Sequence, residues 1–326
     1  MIKSILNPDL YHGNSRTSNF FEGWYFKLVD KNMANVISLI PGIYLGKSKE
    51  NSHSFIQLLQ GNKVSYKYKK FTKDEFISKS NNRLNISVAN NNFSLNEISL
   101  NINDGSDKIT GSICFTNLLK WPDSTINPGS MGYYNFIPRM QCYSQVSVMD
   151  MDLEGSLNIN GSKIDFSGGK GYIEKNWGSA FPYSWTWVQC NSFKNRKASI
   201  SCSIGHIPFM ITSFRGFLIG LFVDDKFYKF TTINKSTLNI VQNALDIIIT
   251  TENKKYKLII ETKTNKSDFM LCMGPRDDKM LPLVEESLKA SVKVTLIDKS
   301  TSKTIFCENV LCCGIEYGGD QRMILK

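Results

Sequence analysis

Two stretches of the chain concentrate bulky aromatics, glycines and ionisable residues in a way that ordinary strands do not require. The first is Phe20-Phe21-Glu22-Gly23-Trp24-Tyr25-Phe26-Lys27. With the two-residue period of a strand, Phe20, Glu22, Trp24 and Phe26 share one face, and Glu22 falls inside an aromatic stripe. A carboxylate there is costly to desolvate, so the group either keeps its proton or finds a cation. A neutral carboxylic acid facing a hydrophobic cavity can protonate an alkene, and nearby ring faces can steady the carbocation that forms. The alternative is a buried pair with a Lys or Arg across the sheet. The residues alone leave both open.

The second stretch runs from Gly168 through Gly171-Tyr172-Ile173-Glu174-Lys175-Asn176-Trp177-Gly178 to Trp185-Thr186-Trp187-Val188-Gln189-Cys190-Asn191, and it holds three of the five tryptophans. On strands, Tyr172, Glu174 and Asn176 project together, opposite Ile173, Lys175 and Trp177. Trp185, Trp187, Gln189 and Asn191 form a face that passes from aromatic to amide, suited to gripping an apolar body and hydrogen-bonding a polar head. The competing reading is a glycine-bent corner whose tryptophans fill the core.

Other chemistries lack their residues. Gly168-Gly169-Lys170-Gly171 has neither the earlier glycine nor the Ser/Thr of a phosphate loop, and no G-x-G-x-x-G opens a helix. His12, His53 and His206 are far apart in sequence, with no cysteine pair at metal-ligand spacing and no G-x-S-x-G elbow. The expectation is no metal and no nucleotide or other cofactor.

The elements that must carry these residues are mainly strands. Short alternating or apolar runs are closed by turn residues, as at Asn160-Gly161, Asp104-Gly105 and Asp224-Asp225. Such runs number about nine or ten on each side of residue 180, and the best helix is expected at Met280–Ala290. With 326 residues, two domains are expected, 1–182 and 183–326, the boundary resting only on the motif-rich stretch near Pro182. The net charge is +10. The run Tyr66-Lys67-Tyr68-Lys69-Lys70 could serve a single-stranded nucleic acid, but one solvated lysine face is the simpler reading and no nucleic-acid partner is expected. Eight cysteines scattered through strand-like runs suggest buried free thiols. Without an apolar run of signal or spanning length, the expectation is a soluble, cytoplasmic protein whose positive surface allows transient contact with anionic membranes.

These two stretches, with Asn127-Pro128-Gly129-Ser130-Met131-Gly132 and Cys313-Gly314-Ile315-Glu316-Tyr317-Gly318-Gly319, closely resemble the tocopherol cyclase family and keep its order. The resemblance implies two tandem lipocalin-like antiparallel β-barrels with few short helices and a hydrophobic cavity, related to carotenoid hydratase-like proteins. It further implies cofactor-independent, acid-initiated cyclisation of a prenylated quinol or other isoprenoid, in which the phenol oxygen captures the cation. Carried over by position, Glu22 and Glu174 are acid and acid partner and Glu316 a third candidate acid. Trp24, Phe26, Tyr172, Lys175, Trp177, Trp185, Trp187, Gln189 and Asn191 would contact the hydrophobic substrate, with Lys175 fixing a neighbouring carboxylate. The chain departs from the family pattern at Gln141 and Ser144, where a Glu and a His are usual, and at Asp152, which replaces another His. Those losses keep a non-catalytic isoprenoid carrier and an isoprenoid hydratase as alternatives.

Overall fold

The computed structural model describes residues 2–80, 82–209 and 212–325. Within them the chain forms two curled antiparallel sheets, of twelve and ten strands. The first sheet begins at β1 (Phe20–Val29), β2 (Val36–Leu45), β3 (His53–Gln60) and β4 (Ser65–Phe71), joined as a meander. On its other edge β1 pairs with the strand Lys170–Gly178, which pairs in turn with Cys142–Ile159. The second sheet centres on Ser184–Cys190, lying between Ala198–Phe209 and Thr304–Gly319.

The chain divides into two compact units. One comprises Met1–Gln60, Ser65–Phe181 and Met273–Leu281, and the other Gly61–Val64, Pro182–Cys272 and Pro282–Lys326. Each has its own core. In the first, Phe20, Trp24, Phe26, Leu28, Ile173 and Trp177 bury together with Ile37, Leu39, Ile56 and Leu58. In the second, Val188, Cys190, Ile200, Cys202, Ile315 and Tyr317 do the same. Because side chains alternate along each strand, those choices fix what the opposite faces carry.

Asn160 and Gly161 have φ of 54° and 87°, and Asp224 and Asp225 have 43° and 66°, the positive values that two-residue hairpins demand. Gly178 sits at φ +149° with its α-carbon so close to the Gln141 carbonyl that a Cβ would lie 2.1 Å from that oxygen.

Met280–Ala290 is not a helix. It lies in the strand Lys279–Asp298, paired with Thr304–Gly319. Val284, Glu286, Leu288 and Ala290 are buried at the two-residue period of a strand, and the four-residue spacing of Val284 and Leu288 fits one face of a strand as well as one face of a helix. Pro282, with no N–H to donate, removes a helical hydrogen bond as well.

Two of the three lysines of the Tyr66–Lys70 run are engaged in ion pairs. Lys67 and Lys69 both pair with Asp107, and Lys69 also reaches Asp104 at 2.6 Å. All eight cysteines are free thiols. Among the described residues no helix is long and apolar enough to cross a membrane.

Candidate functional site

The residues singled out above fall on three separate faces. Glu22, Trp24, Phe26, Lys175 and Trp177 point into the core of the first sheet. The register sets Glu22 opposite Trp177 and Trp24 opposite Lys175 on neighbouring strands, so the four form one square patch. Glu22 and Lys175 are both fully buried, and the Lys175 ammonium contacts Glu22 Oε1. Its other donors reach the Leu10 carbonyl at 2.6 Å and His12 Nδ1 at 3.3 Å, so three acceptors surround Nζ as an ammonium requires. The cation also stands over the rings of Trp24 and Trp177, at 5.1 and 4.8 Å from their centroids.

His12 closes this group. Its backbone N–H donates to Glu22 Oε2 at 2.8 Å, and Nδ1 lies 3.2 Å from Glu22 Oε1. Its ring stacks on Trp177 at 4.1 Å, and Tyr143 stacks on the other face at 5.3 Å. Nε2 is 3.2 Å from the Ser4 carbonyl, which can only accept. That contact assigns the proton to Nε2 and leaves Nδ1 to receive Lys175.

Burial by itself would push the Glu22 carboxyl up, but Lys175 and then His12 outweigh it, and the net direction is down. Burial, reinforced by Lys175, pushes His12 down against the pull of Glu22. At neutral pH the centre therefore holds a carboxylate and a neutral imidazole, and burial pushes Lys175 down against the pull of Glu22. Of the two sequence readings of Glu22, the geometry is that of the buried pair. Phe26 is a packed core residue, 5.7 Å from the Phe93 ring.

This arrangement carries a sign-defined pH dependence. Both groups have folded values below their ordinary ones, 6.5 for the imidazole and 4.5 for the carboxyl. The unfolded chain therefore binds protons first as pH falls, and stability from these groups is complete above the ordinary values and lost below them. The urea midpoint should fall between about pH 7.5 and pH 5.5 in wild type, and fall less in His12→Gln, which has no imidazole to charge. An equal drop in both proteins would remove His12 as the cause.

Glu174 lies elsewhere. It alternates with Lys175, pairs across the ladder with Tyr25, and so faces the opposite side of the sheet from Glu22. The structure does not bring the two carboxyls together. The Tyr172 hydroxyl donates to Glu174 Oε2 at 2.6 Å and Asn176 Nδ2 approaches Oε1 at 3.4 Å. On this side β1, β2 and β3 present Phe21, Tyr44 and Phe55, which cluster with Cys142. Gly42 lies under the Phe55 ring, where a Cβ would come within 2.4 Å of it, so the glycine lets that ring lie against the sheet. Burial, then the nearby Glu174, pushes the Cys142 thiol up, so Glu174 belongs electrostatically to this aromatic face.

The third face belongs to the second unit. Trp185, Trp187, Gln189 and Asn191 lie together on the side of the strand Ser184–Cys190 away from its core, all buried. Trp185 donates its indole N–H to Glu316 Oε2 at 3.2 Å, and Gln189 Nε2 lies 3.4 Å from Asn191 Oδ1. Glu316 is also paired opposite Glu286, which is fully buried and has no counterpart in the sequence reading. Burial, then Glu286 and Glu316, raises the Cys272 thiol well above its ordinary value.

Of the positions where the chain departs from its resemblance, Asp152 bonds Lys170 at 2.7 Å and Ser144 pairs with Asn176 in the ladder. His12 was missed because it lies in a turn-rich segment with no periodicity and reaches Glu22 only through the fold. Nothing in its sequence neighbourhood marks it.

Comparison with known proteins adds identity to this geometry. A family described as tocopherol cyclase-like matches residues 101–319, a span holding Glu174, Lys175, Trp177 and Glu316 but not Glu22. A probable chloroplastic tocopherol cyclase of Oryza sativa subsp. japonica is 23% identical over 208 residues, covering 61% of this chain and 44% of the relative. The chloroplastic tocopherol cyclase of Zea mays is 23% identical over 202 residues, covering 58% and 41%. The match thus spans less than half the length of these relatives. In fold the chain is similar to kievitone hydratase from Nectria haematococca, with a TM-score of 0.50, 15% identity and coverage of 97% and 94% of the two chains. It is also similar to a protein assigned as AttH from Nitrosomonas europaea, with a TM-score of 0.53, 10% identity and 96% coverage of both. The architecture is accordingly lipocalin-like, two curled antiparallel sheets in tandem.

Proposed function

The chain belongs to the tocopherol cyclase-like family, and on that premise we propose that it closes a ring on a prenylated quinol or a related isoprenoid by proton-initiated cyclisation. Glu174 is the proton donor. The observation that carries this is the division of labour between the two faces of one strand. Glu22 is committed as a carboxylate to Lys175 and His12, while Glu174 meets a tyrosine hydroxyl at the edge of an aromatic cluster. A Tyr–Glu hydrogen bond directs a carboxyl and passes protons readily, and aromatic faces nearby stabilise positive charge in a hydrophobic substrate. Such a reaction is an isomerisation in which the proton added at carbon is matched by one lost from oxygen. It calls on positioning and proton transfer alone.

In this reading Glu22, Lys175, Trp24 and Trp177 are positioning residues that anchor β1 and the strand Lys170–Gly178 to each other and to the segment around His12. The aromatic-to-amide face around Trp185, Trp187, Gln189 and Asn191 is a binding surface of the second unit, with Glu316 as its carboxyl.

The test is incubation of the purified protein in heavy water with a prenylated hydroquinone, followed by chromatography and mass spectrometry. Ring closure is expected to yield an isomer of the substrate carrying one non-exchangeable deuterium. Gain of a water would instead identify a hydratase, and retention of unchanged ligand a carrier. Comparing Glu174→Gln with Glu316→Gln then assigns the acid, since only loss of the labelled product in the first supports Glu174.

A further inference from the structure

The segment 120–141 joins the strand Lys108–Leu119 to the strand Cys142–Ile159. Its base is anchored. Trp121 and Met140 are buried, the Ser130 backbone N–H donates to Gln145 Oε1 at 2.8 Å, and the Gly129 N–H donates to Asp123 Oδ2 at 2.8 Å. Its outer side carries bulky apolar side chains into solvent, with Ile126 74% exposed, Phe136 46% and Tyr133 43%. The loop ends at Gln141, whose carbonyl packs on Gly178 at the end of the strand that carries Glu174.

Local geometry gathers the three exposed side chains. Ser124 and Asn127 exchange backbone hydrogen bonds at 3.1 and 3.0 Å, which puts Ile126 in a tight turn. Gly132–Phe136 is a short 3-10 helix, in which residues three apart eclipse, so Tyr133 and Phe136 leave it on one face. Asn135 Nδ2 donates to the Pro128 carbonyl at 2.7 Å and pins that helix to the chain two residues past Ile126. A lone exposed apolar residue is ordinary, but three held outward by one anchored loop make an interaction patch.

Cations border the patch. Lys120 and Arg139 lie within the loop, whose single acid, Asp123, is the one already bonded to the Gly129 N–H. Arg139 is exposed, and the Lys120 side chain is 56% exposed and touches Asp9 only at 3.6 Å. Arg16, also exposed, comes from another segment. Its charge reaches Tyr143, whose hydroxyl donates to the Ile137 carbonyl at 2.7 Å, two residues from Arg139. An apolar, aromatic tip bordered by Lys and Arg has the chemistry of an anionic lipid surface, with tyrosine at headgroup level and isoleucine and phenylalanine at the acyl boundary. A fluid surface supplies no fixed shape and three knobs on a loop ask for none, which favours it over a folded protein.

We propose that the loop 120–141 docks the protein on bilayers containing anionic phospholipid, with Ile126, Tyr133 and Phe136 entering the interface and Lys120, Arg139 and Arg16 meeting lipid phosphates. The contact is peripheral and reversible, because three side chains bury far less apolar surface than a spanning helix. A docked protein holds the Gly178 end of the Glu174 strand near the lipid.

The test is co-sedimentation of the purified full chain with sucrose-loaded vesicles, either of phosphatidylcholine alone or of phosphatidylcholine mixed with phosphatidylglycerol. No substrate is present, so the outcome is independent of the ring-closure reading. Wild type is expected to bind the mixed vesicles at least about tenfold more tightly than the neutral ones, and to lose that preference in high salt. The triple variant Ile126→Ser, Tyr133→Ser and Phe136→Ser should weaken binding to both kinds by about tenfold or more, from the apolar area withdrawn. Arg16→Gln with Arg139→Gln should weaken binding to the mixed vesicles alone, by about 25-fold, since each cation near the surface contributes about fivefold. All five side chains are exposed, so both variants should melt with wild type, and Ile126→Asp repeats the apolar test with a single change at the most exposed of the three positions. Wild type that stays in the supernatant with both kinds of vesicle overturns the proposal, as do variants that bind as wild type does. A wild-type dimer that the serine variant loses in analytical ultracentrifugation, with no vesicle binding by either, overturns it in favour of self-association through the same patch.

Discussion

Lys175→Met is expected to destabilise the first unit by about 3–5 kcal/mol, the usual cost of leaving a buried charge without its partner. Glu22 has no exposed surface, and its remaining donor would be the His12 backbone N–H. The methionine fills much of the lysine's volume, so the loss is electrostatic rather than a cavity. The double variant Glu22→Leu with Lys175→Met should recover most of the stability, because replacing both charges with apolar groups removes the desolvation penalty along with the attraction. Guanidinium unfolding of the three proteins measures this directly. A single variant within about 1 kcal/mol of wild type would show that the pair contributes little and that the ionised centre described above is misassigned.

Glu22→Gln and Glu174→Gln are expected to part ways. The first leaves the Lys175 ammonium facing an amide, so its main effect should be on stability, with a melting temperature many degrees lower and an activity loss that tracks the unfolded fraction. The second should melt much closer to wild type but slow product formation by about 100-fold or more, the ordinary contribution of a positioned general acid. Measuring both quantities in both variants separates structure from chemistry on the same pair of strands. If Glu22→Gln keeps its melting temperature while losing all turnover, the roles of the two carboxyls are reversed and the proposed donor is Glu22.

Why Glu22 and Glu174 are so different is a matter of strand alternation, and that much was legible in the residues. Placing Glu22 with Trp24 and Phe26, Lys175 with Trp177, and Glu174 with Tyr172 needs only the two-residue period. The same alternation predicted the face of Trp185, Trp187, Gln189 and Asn191, and paired turn residues predicted the hairpin at Asn160-Gly161. The strand at Met280–Ala290 was not legible, because a spacing such as Val284 to Leu288 fits strand and helix alike and only pairing with Thr304–Gly319 decides between them. Nor was the outward side of the loop 120–141, since no regular period there separates Ile126, Tyr133 and Phe136 from the buried Trp121 and Met140.

The sequence by itself thus determined the β class and, for each strand, which side chains share a face, because both follow from backbone geometry over a few residues. Its family motifs named most of the residues discussed above. Only the tertiary structure decided which carboxyl meets a buried cation. That depends on whether a cation and a histidine reach it from other segments, and Lys175 and His12 reach Glu22 through strand register and a turn-rich segment with no regular period. Charge states in a buried site are set by such non-local neighbours within a few ångströms, and sequence spacing carries no record of that distance.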